Sequence, residues 1–383
     1  MKFVHTADWH LGKMIHGHSL IEDQRYVLMQ LFDKMHELQI PLCIVAGDIY
    51  DRSIPSVEAV KVLNEVLEKA ILEYKIQIIM ISGNHDGGER LNFASSLLNE
   101  NQLTIESVIR PTMNHVELYD HDGAVVFHCL PYFKPANIQY VLQLPDPLSF
   151  DEAMASYLAV HPLDPHMRHV LITHHFIAGT TPSIESDSEL PLSVGGTYHV
   201  SSEHVAHFDY VALGHLHAPQ SISKPTIRYS GSILKYSETE AFHSKGFSVV
   251  ELTKNEVKIE HIDLKPLRDL RIVQGTLKTI LSSPPSSDYV MVYCEDETVV
   301  MNAMDLVRQV FPNALKFAYT KDVKRIAKQT SSLSDETLTQ SEVEVFERFF
   351  SDMVSKPLSS NQKELLITII EEARGMSNET DPT

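Results

Sequence analysis

The amino-acid sequence predicts an α/β fold: a two-sheet layered sandwich flanked by helices, followed by a smaller α/β cap unit and C-terminal helices. Three observations predict it. Apolar runs of strand length alternate with helical periods through the N-terminal part of the chain, as in layered α/β proteins. From Val116 the pattern changes to strand pairs around short turns, which predict a second sheet layered on the first. Beyond Leu264 to Pro266 a βαβ-like alternation resumes on a smaller scale.

The elements follow in order. Lys2 to Thr6, Leu42 to Ala46 and Ile76 to Ile81 are apolar runs of strand length. Between them, Glu22 to Gln39 carries Leu28, Leu31, Phe32, Met35 and Leu38 at helical spacing. Ser56 to Tyr74 repeats the pattern through Val60, Leu63, Val66, Leu67 and Ile71, with Ser56 placed to cap the helix. Glu89 to Asn99 predicts a third helix. Two short strands flank Asp120-His121-Asp122-Gly123, and a second hairpin pairs Phe247 to Leu252 with Val257 to Ile262. Gly179 to Gly196 is rich in Thr, Ser, Pro and Gly and reads as a long loop, either a cover for substrate or a plain surface segment. In the cap, strands near Leu270 to Val273, at Tyr289 to Cys294 and at Leu315 to Tyr319 accompany a helix from Met301 to Phe311. A polar Ser/Thr-rich linker follows. Two amphipathic helices close the chain, one carrying Phe346, Phe349, Phe350 and Met353, the other Leu365, Leu366, Ile369 and Ile370. The expected domains are 1–265, a cap at 266–321, a linker at 322–340, a helical segment at 341–375 and a tail at 376–383.

Composition narrows the function classes. With 383 residues and 43% hydrophobic content the chain can bury a large core. No run approaches the ~18 apolar residues of a membrane span and no signal-peptide core precedes the first strand, so a cytoplasmic protein without membrane attachment is expected. Cys43, Cys129 and Cys294 are far apart within apolar runs and are expected to be buried free thiols. The net charge of −19 by itself speaks against a nucleic-acid partner. Its distribution qualifies that: from Leu264 to Thr330 ten basic residues face seven acidic ones, a local balance of +3. That stretch reads either as a nucleic-acid contact or as a solvated helix face.

The chemistry is concentrated where strands end. Asp8-Trp9-His10, Gly47-Asp48, Gly83-Asn84-His85-Asp86, Thr173-His174-His175 and Gly214-His215-Leu216-His217 each follow an apolar run. The carboxyl ends of neighbouring strands open onto one crevice, so groups remote in sequence converge there. Asp, Asn and His without a thiolate suit a pair of hard or borderline divalent cations, Mn²⁺ first and Mg²⁺ as the alternative. Side chains alternate across a strand, so one of His174 and His175 is expected to point inward. Trp9 is expected to pack rather than to bind; His16 and His18 are expected to face solvent.

This series of motifs resembles the calcineurin-like metallophosphoesterase superfamily. Within it, Thr6-Ala7-Asp8-Trp9-His10-Leu11-Gly12, Gly47-Asp48-Ile49-Tyr50-Asp51, Ser193-Val194-Gly195-Gly196-Thr197 and Tyr229-Ser230-Gly231-Ser232 are similar to the SbcD nuclease family. The resemblance implies one metal on Asp8, His10, Asp48 and His217, and a second on Asp48, Asn84, His174 and His215, with Asp48 bridging. It also implies His85 as the non-ligand catalytic histidine, with Asp86 expected to orient it. Related archaeal and eukaryotic nucleases carry another histidine a few residues past the bridging aspartate; here Asp51 and Arg52 stand instead. The implied activity is two-metal phosphodiester hydrolysis, exonuclease and endonuclease, at double-stranded DNA ends and hairpins in repair and recombination. The implied partners are double-stranded DNA, a second copy, and an SbcC-type ATPase in a two-plus-two assembly docked through the terminal helices. A small-molecule or phosphoprotein phosphoesterase and a non-enzymatic scaffold are the competing readings.

Overall fold

The computed structural model describes residues 1–93, 95, 98, 102–179, 182–189 and 198–321, with single positions at 346, 350, 359, 362–363 and 365–366. The remainder of the expected Glu89 to Asn99 helix, Gly195-Gly196, the linker at 322–340 and most of the two terminal helices lie outside the described residues.

The chain divides into two units. The first contains Met1–Val273, Leu281–Val292 and Met304–Lys316; the second contains Gln274–Ile280, Tyr293–Ala303 and Phe317–Thr383. Two six-stranded sheets lie within the first unit. One has the strand order Val257–Asp263, Gly246–Leu252, Lys2–Thr6, Leu42–Ala46, Gln77–Ile81, Leu103–Glu106. Its four N-terminal strands run parallel, in registers such as Val4 to Cys43, Ile44 to Ile79 and Ile78 to Leu103. The other has the order Gln220–Ile222, Lys224–Tyr229, Tyr210–Leu213, Arg168–Thr173, Gly123–Leu130, His115–Asp120.

The first hairpin falls in the second sheet, as its turn residues predict. The second does not: Gly246–Leu252 pairs antiparallel with Lys2–Thr6, placing Phe3 opposite Val250, and so extends the first sheet. Alternation fixes that a strand pair has a buried face but not which sheet it joins. Here Phe3 and Val250 enter the same buried layer, together with Ile44, Ile79, Phe127, Val170 and Tyr210. Phe3 meets Phe127 edge-on at 5.4 Å between ring centroids. Each fully buried side chain of this size contributes about 1.5–3 kcal/mol by leaving water.

The outer face of the second sheet is covered by two helices that strand and helix periodicity alone does not reveal, Pro135–Leu142 and Phe150–Ala159. Ser149 accepts from the Glu152 amide and Glu152 returns to Ser149, a reciprocal cap that fixes where the second helix begins. Ile138, Met154 and Tyr157 pack with Leu171, Val211 and Leu213 under them. Beside the first sheet, Ile21–Glu37 buries Val27, Leu28, Leu31, Phe32 and Met35, and Val57–Glu68 is capped by the Ser56 hydroxyl, which accepts from Ala59 N–H at 3.2 Å. The expected continuation to Tyr74 is a wider turn of π type at Lys69–Glu73. The three cysteines are buried and free. Among the described residues no helix is long and apolar enough to cross a membrane.

Past the sandwich, Leu270–Gly275, Tyr289–Cys294 and Ala314–Tyr319 form a three-stranded sheet in that order. The helix Ala303–Val310 stands where Met301 to Phe311 was expected, and a short helix at Leu277–Leu281 is additional.

His5 and His128 are among the histidines buried away from any strand-end motif. Burial is the main cause that lowers His5 and His128 to about 3, reinforced by Arg228 for the first and by His169 and His115 for the second. Both rings are therefore neutral when folded, while the unfolded chain takes up protons below about 6.5. Their stabilisation is present above that pH and declines as pH falls toward 3. Lowering the pH from 6.5 to 5 is expected to cost up to about 2 kcal/mol per histidine, and His128→Leu is expected to flatten the slope of denaturation free energy against pH.

Candidate metal centre

The ligand-type residues converge because the strands end together. The parallel pairing of Lys2–Thr6 with Leu42–Ala46 continues past both strands: Asp8 N–H donates to Gly47 O at 3.1 Å, His10 N–H to Asp48 O at 2.9 Å and Leu11 N–H to Ile49 O at 2.9 Å. Asp8, His10 and Asp48 adopt positive φ values of 53°, 45° and 51°, and His215 one of 101°. These conformations are unfavourable for non-glycine residues and persist where neighbouring bonds over-determine them. Glycines supply the clearance. A Cβ on Gly83 would lie 2.2 Å from Asp48 Oδ1, and one on Gly214 would lie 2.0 Å from Ala46 O and 2.6 Å from His174 Nδ1.

Asp48 is the meeting point. Its Oδ2 lies 3.5 Å from His10 Nε2, 3.2 Å from His174 Nε2 and 4.0 Å from His85 Nε2. On one side, Asp8, His10 and His217 present donor atoms within 4.8 Å of one another; on the other, Asp8, Asp48 and His174 do the same. Asn84 Oδ1 lies 3.0 Å from His174 Nε2 and 3.3 Å from His215 Nδ1. All seven expected ligand residues are thus brought together.

The strand-end pair is resolved by direction. His174 turns inward with Nδ1 against Ala46 O at 2.7 Å, whereas His175 turns into the apolar layer, with Nδ1 2.9 Å from Thr173 Oγ1 and its ring packed on Phe133 and Tyr132. Trp9 is fully buried, edge-on to Phe32, with its indole N–H donated to Thr6 Oγ1. His16 is exposed, and His18 is half-buried against the Tyr289 ring at 6.0 Å.

The expected role of Asp86 is corrected. Its carboxylate accepts from the backbone N–H groups of Gly83 at 2.8 Å, Tyr50 at 2.9 Å and Ile49 at 3.1 Å, and so ties the loop after Ala46 to the loop after Ile81. Burial and the nearby Asp48 charge raise it to about 6 in spite of those donors. His85 is oriented instead by the main chain, through Nδ1 and Asp51 O at 3.0 Å. A carboxylate next to an imidazole in sequence suggests a partner for it, but three backbone amides closer at hand take its oxygens.

Sequence reasoning missed the shell behind His217. Glu240 is fully buried, with Oε1 3.0 Å from His217 Nδ1 and Oε2 2.6 Å from Lys245 Nζ. Lys245 also donates to His217 O at 2.7 Å. From the long loop, Ser188 hydrogen-bonds both His217 Nδ1 and Glu240, and Glu189 accepts from His217 N–H at 2.6 Å. The described part of that loop is therefore part of the wall. Neither Glu240 nor Lys245 follows an apolar strand, so nothing in the local pattern marks them.

Electrostatics suits cations. Burial raises the Asp8 carboxyl well above its usual range, only partly opposed by His174. Burial would raise Asp48 as well, but His174, His10 and His85 together bring it well below. His174, which burial alone would lower, is raised to about 9 by Asp48 and Asp8. Burial lowers His10 strongly and His215 to about 3. Two largely neutral rings, His10 and His217, face each other through Nε2 atoms 3.1 Å apart, and His10 Nδ1 is buried without a hydrogen-bond partner among the described residues. Opposed ring nitrogens need a proton or a cation between them. The donor set of carboxylates, imidazoles and one amide oxygen fits hard or borderline divalent ions.

Residues 1–219 match the calcineurin-like phosphoesterase family. The chain belongs to that family. Residues 266–354 match the type 5 capsule protein repressor C-terminal domain. The SbcD component of the SbcCD nuclease from Staphylococcus epidermidis is 36% identical over 371 residues, covering 95% of this chain and 96% of that protein. A dimetal phosphatase from Danio rerio, known as a crystal structure, is 12% identical with a TM-score of 0.39, covering 70% of this chain and 98% of its own. In this phosphoesterase, Gly214→Ala is expected to destabilise the fold by about 1–3 kcal/mol through overpacking, measured by chemical denaturation.

Proposed function

We propose that the chain is the nuclease subunit of an SbcCD-type complex, a metal-dependent phosphodiesterase acting on double-stranded DNA ends and hairpins. The observation that carries this reading is the placement of one carboxylate, Asp48, against both histidine groups. In a family of metal-dependent phosphoesterases, that is the position of a bridging ligand. Asp8, His10, Asp48 and His217 would hold one ion, and Asp48, Asn84, His174 and His215 the other. Bound there, a pair of divalent cations supplies Lewis-acid activation of water and of the phosphoryl oxygens. Mn²⁺ is the proposed metal and Mg²⁺ the alternative.

The chain's own residues do the rest. His85 Nδ1 is engaged by Asp51 O, so Nε2 is the atom left to face the reacting phosphate. As an imidazolium it would donate to a phosphoryl oxygen or to the departing alkoxide. Asp86 keeps the Asp48 and Asn84 loops at fixed separation, and Glu240 holds His217 in the tautomer that presents Nε2 inward.

The 36% relative is named as part of SbcCD, which supports an SbcC-type ATPase as partner. We further propose exonuclease and endonuclease action, a homodimer within a two-plus-two assembly, cytoplasmic location, a cap at 266–321 that contacts DNA, and terminal helices at 341–375 that dock the ATPase.

Hairpin DNA incubated with the chain, with and without Mn²⁺ and the ATPase, tests the reading: chelation is expected to abolish cleavage and Mn²⁺ to restore it. His85→Gln is expected to retain cation binding by calorimetry while losing turnover by about 10²–10⁴-fold; full activity in that variant removes His85 from the chemistry. Glu240→Gln is expected to weaken cation binding by about 10–100-fold.

A further inference from the structure

Beside the centre a groove leads away over the second sheet and its covering helices. Its near part, about 580 Å³, is lined by Asn84, Tyr132, Lys134 and Asn137. Its far part, about 740 Å³, passes Arg110, Gln139 and Gln143. The two parts adjoin through the shared lining residues Ile109, Tyr140 and Val141, and the near part reaches a proposed metal ligand, Asn84.

Tyr140 stands in the middle with its residue 84% exposed, although the helix that carries it, Pro135–Leu142, buries Ile138 in the core. The backbone that carries Tyr140 is thus packed while the side chain stands open to solvent. Tyr132 forms a firm wall, stacked on His175 at 5.2 Å and held by its N–H donated to Ser82 O at 3.0 Å. Lys134 is exposed at the near end. At the far end the half-exposed Arg110 guanidinium makes, among the described residues, long contacts of 3.4 Å to the Glu106 carboxylate and 3.4 Å to Asn92. An open aromatic ring between two cations, with amides along the lining, is the pattern that binds unpaired nucleic acid: bases stack, phosphates meet the cations, and no base edge is read. A base inside a duplex has both faces covered by its neighbours and cannot stack on Tyr140.

We propose that this groove holds an unpaired stretch of the substrate strand and feeds it to the centre, with Tyr140 as the stacking platform and Lys134 and Arg110 as phosphate contacts. The inference rests on the nuclease reading and names the form of nucleic acid that the site takes: a frayed end or a hairpin loop.

The full-length chain and its Tyr140→Ala and Tyr140→Phe variants are compared in two assays. One is fluorescence anisotropy with a labelled oligothymidylate; the other is hydrolysis of bis-p-nitrophenyl phosphate with Mn²⁺, which needs the centre but not the groove. Tyr140→Ala is expected to weaken oligonucleotide binding by about ten-fold or more. Tyr140→Phe, which keeps the ring, is expected to stay within about two-fold, and both variants are expected to hydrolyse the small diester like the unsubstituted chain. Unchanged oligonucleotide binding in Tyr140→Ala overturns the groove. Failure of the unsubstituted chain to hydrolyse the small diester overturns the nuclease reading instead, and the two failures are read in separate assays.

Discussion

Placing two carboxylates, four imidazoles and an amide side by side in a largely buried site is the constraint on which the rest of this molecule turns. Asp8, His174 and His217 are at most 1% exposed, and Asp48 is 2% exposed. Buried charges without compensation are costly, and the protein compensates only in part, through His174 against Asp48 and Glu240 against Lys245. A sandwich with parallel strands meets the geometric side of the problem. Strand ends at Thr6, Ala46, Ile81, Thr173 and Leu213 deliver short loops to one crevice, and the apolar layer beneath them stays uninterrupted.

The same crowding explains the local irregularities. Left-handed backbone at Asp8, His10 and Asp48 turns these side chains toward one another immediately after extended strands. The main-chain ladder from Asp8 to Leu11 against Gly47 to Ile49, and the three amides on Asp86, hold those turns in place. Gly83 and Gly214 are small because Asp48 in the first case, and Ala46 O with the His174 ring in the second, occupy the space where a side chain would begin. Local rules are broken at the site and obeyed around it, the expected signature of a functional centre.

The convergence of the strand-end residues was legible in the sequence because each sits at a change of pattern, an apolar run followed at once by polar side chains. His174 was legible only as one of a pair, since alternation states that neighbours diverge without stating which faces in. Glu240, Lys245 and Ser188 were not legible: their role depends on the long loop folding back on His217, a contact spanning 29 residues from Ser188. The hairpin at Gly246–Leu252 and Val257–Asp263 was visible as a hairpin, but its pairing with Lys2–Thr6 joins opposite ends of the sandwich, which local periodicity cannot encode. The helices Pro135–Leu142 and Phe150–Ala159 carried signals, Pro135 at the first turn and Ser149 three residues before Glu152, that short length made easy to overlook.

The seating of Gly246–Leu252 beside Lys2–Thr6 also has a bearing on biosynthesis. A strand translated early must wait for one emerging far later before its hydrogen-bonding edge is satisfied, as the pairing of Lys2 with Glu251 shows. Until the ribosome has released that stretch, Lys2 to Thr6 presents an unprotected rim of the kind that recruits stray chains.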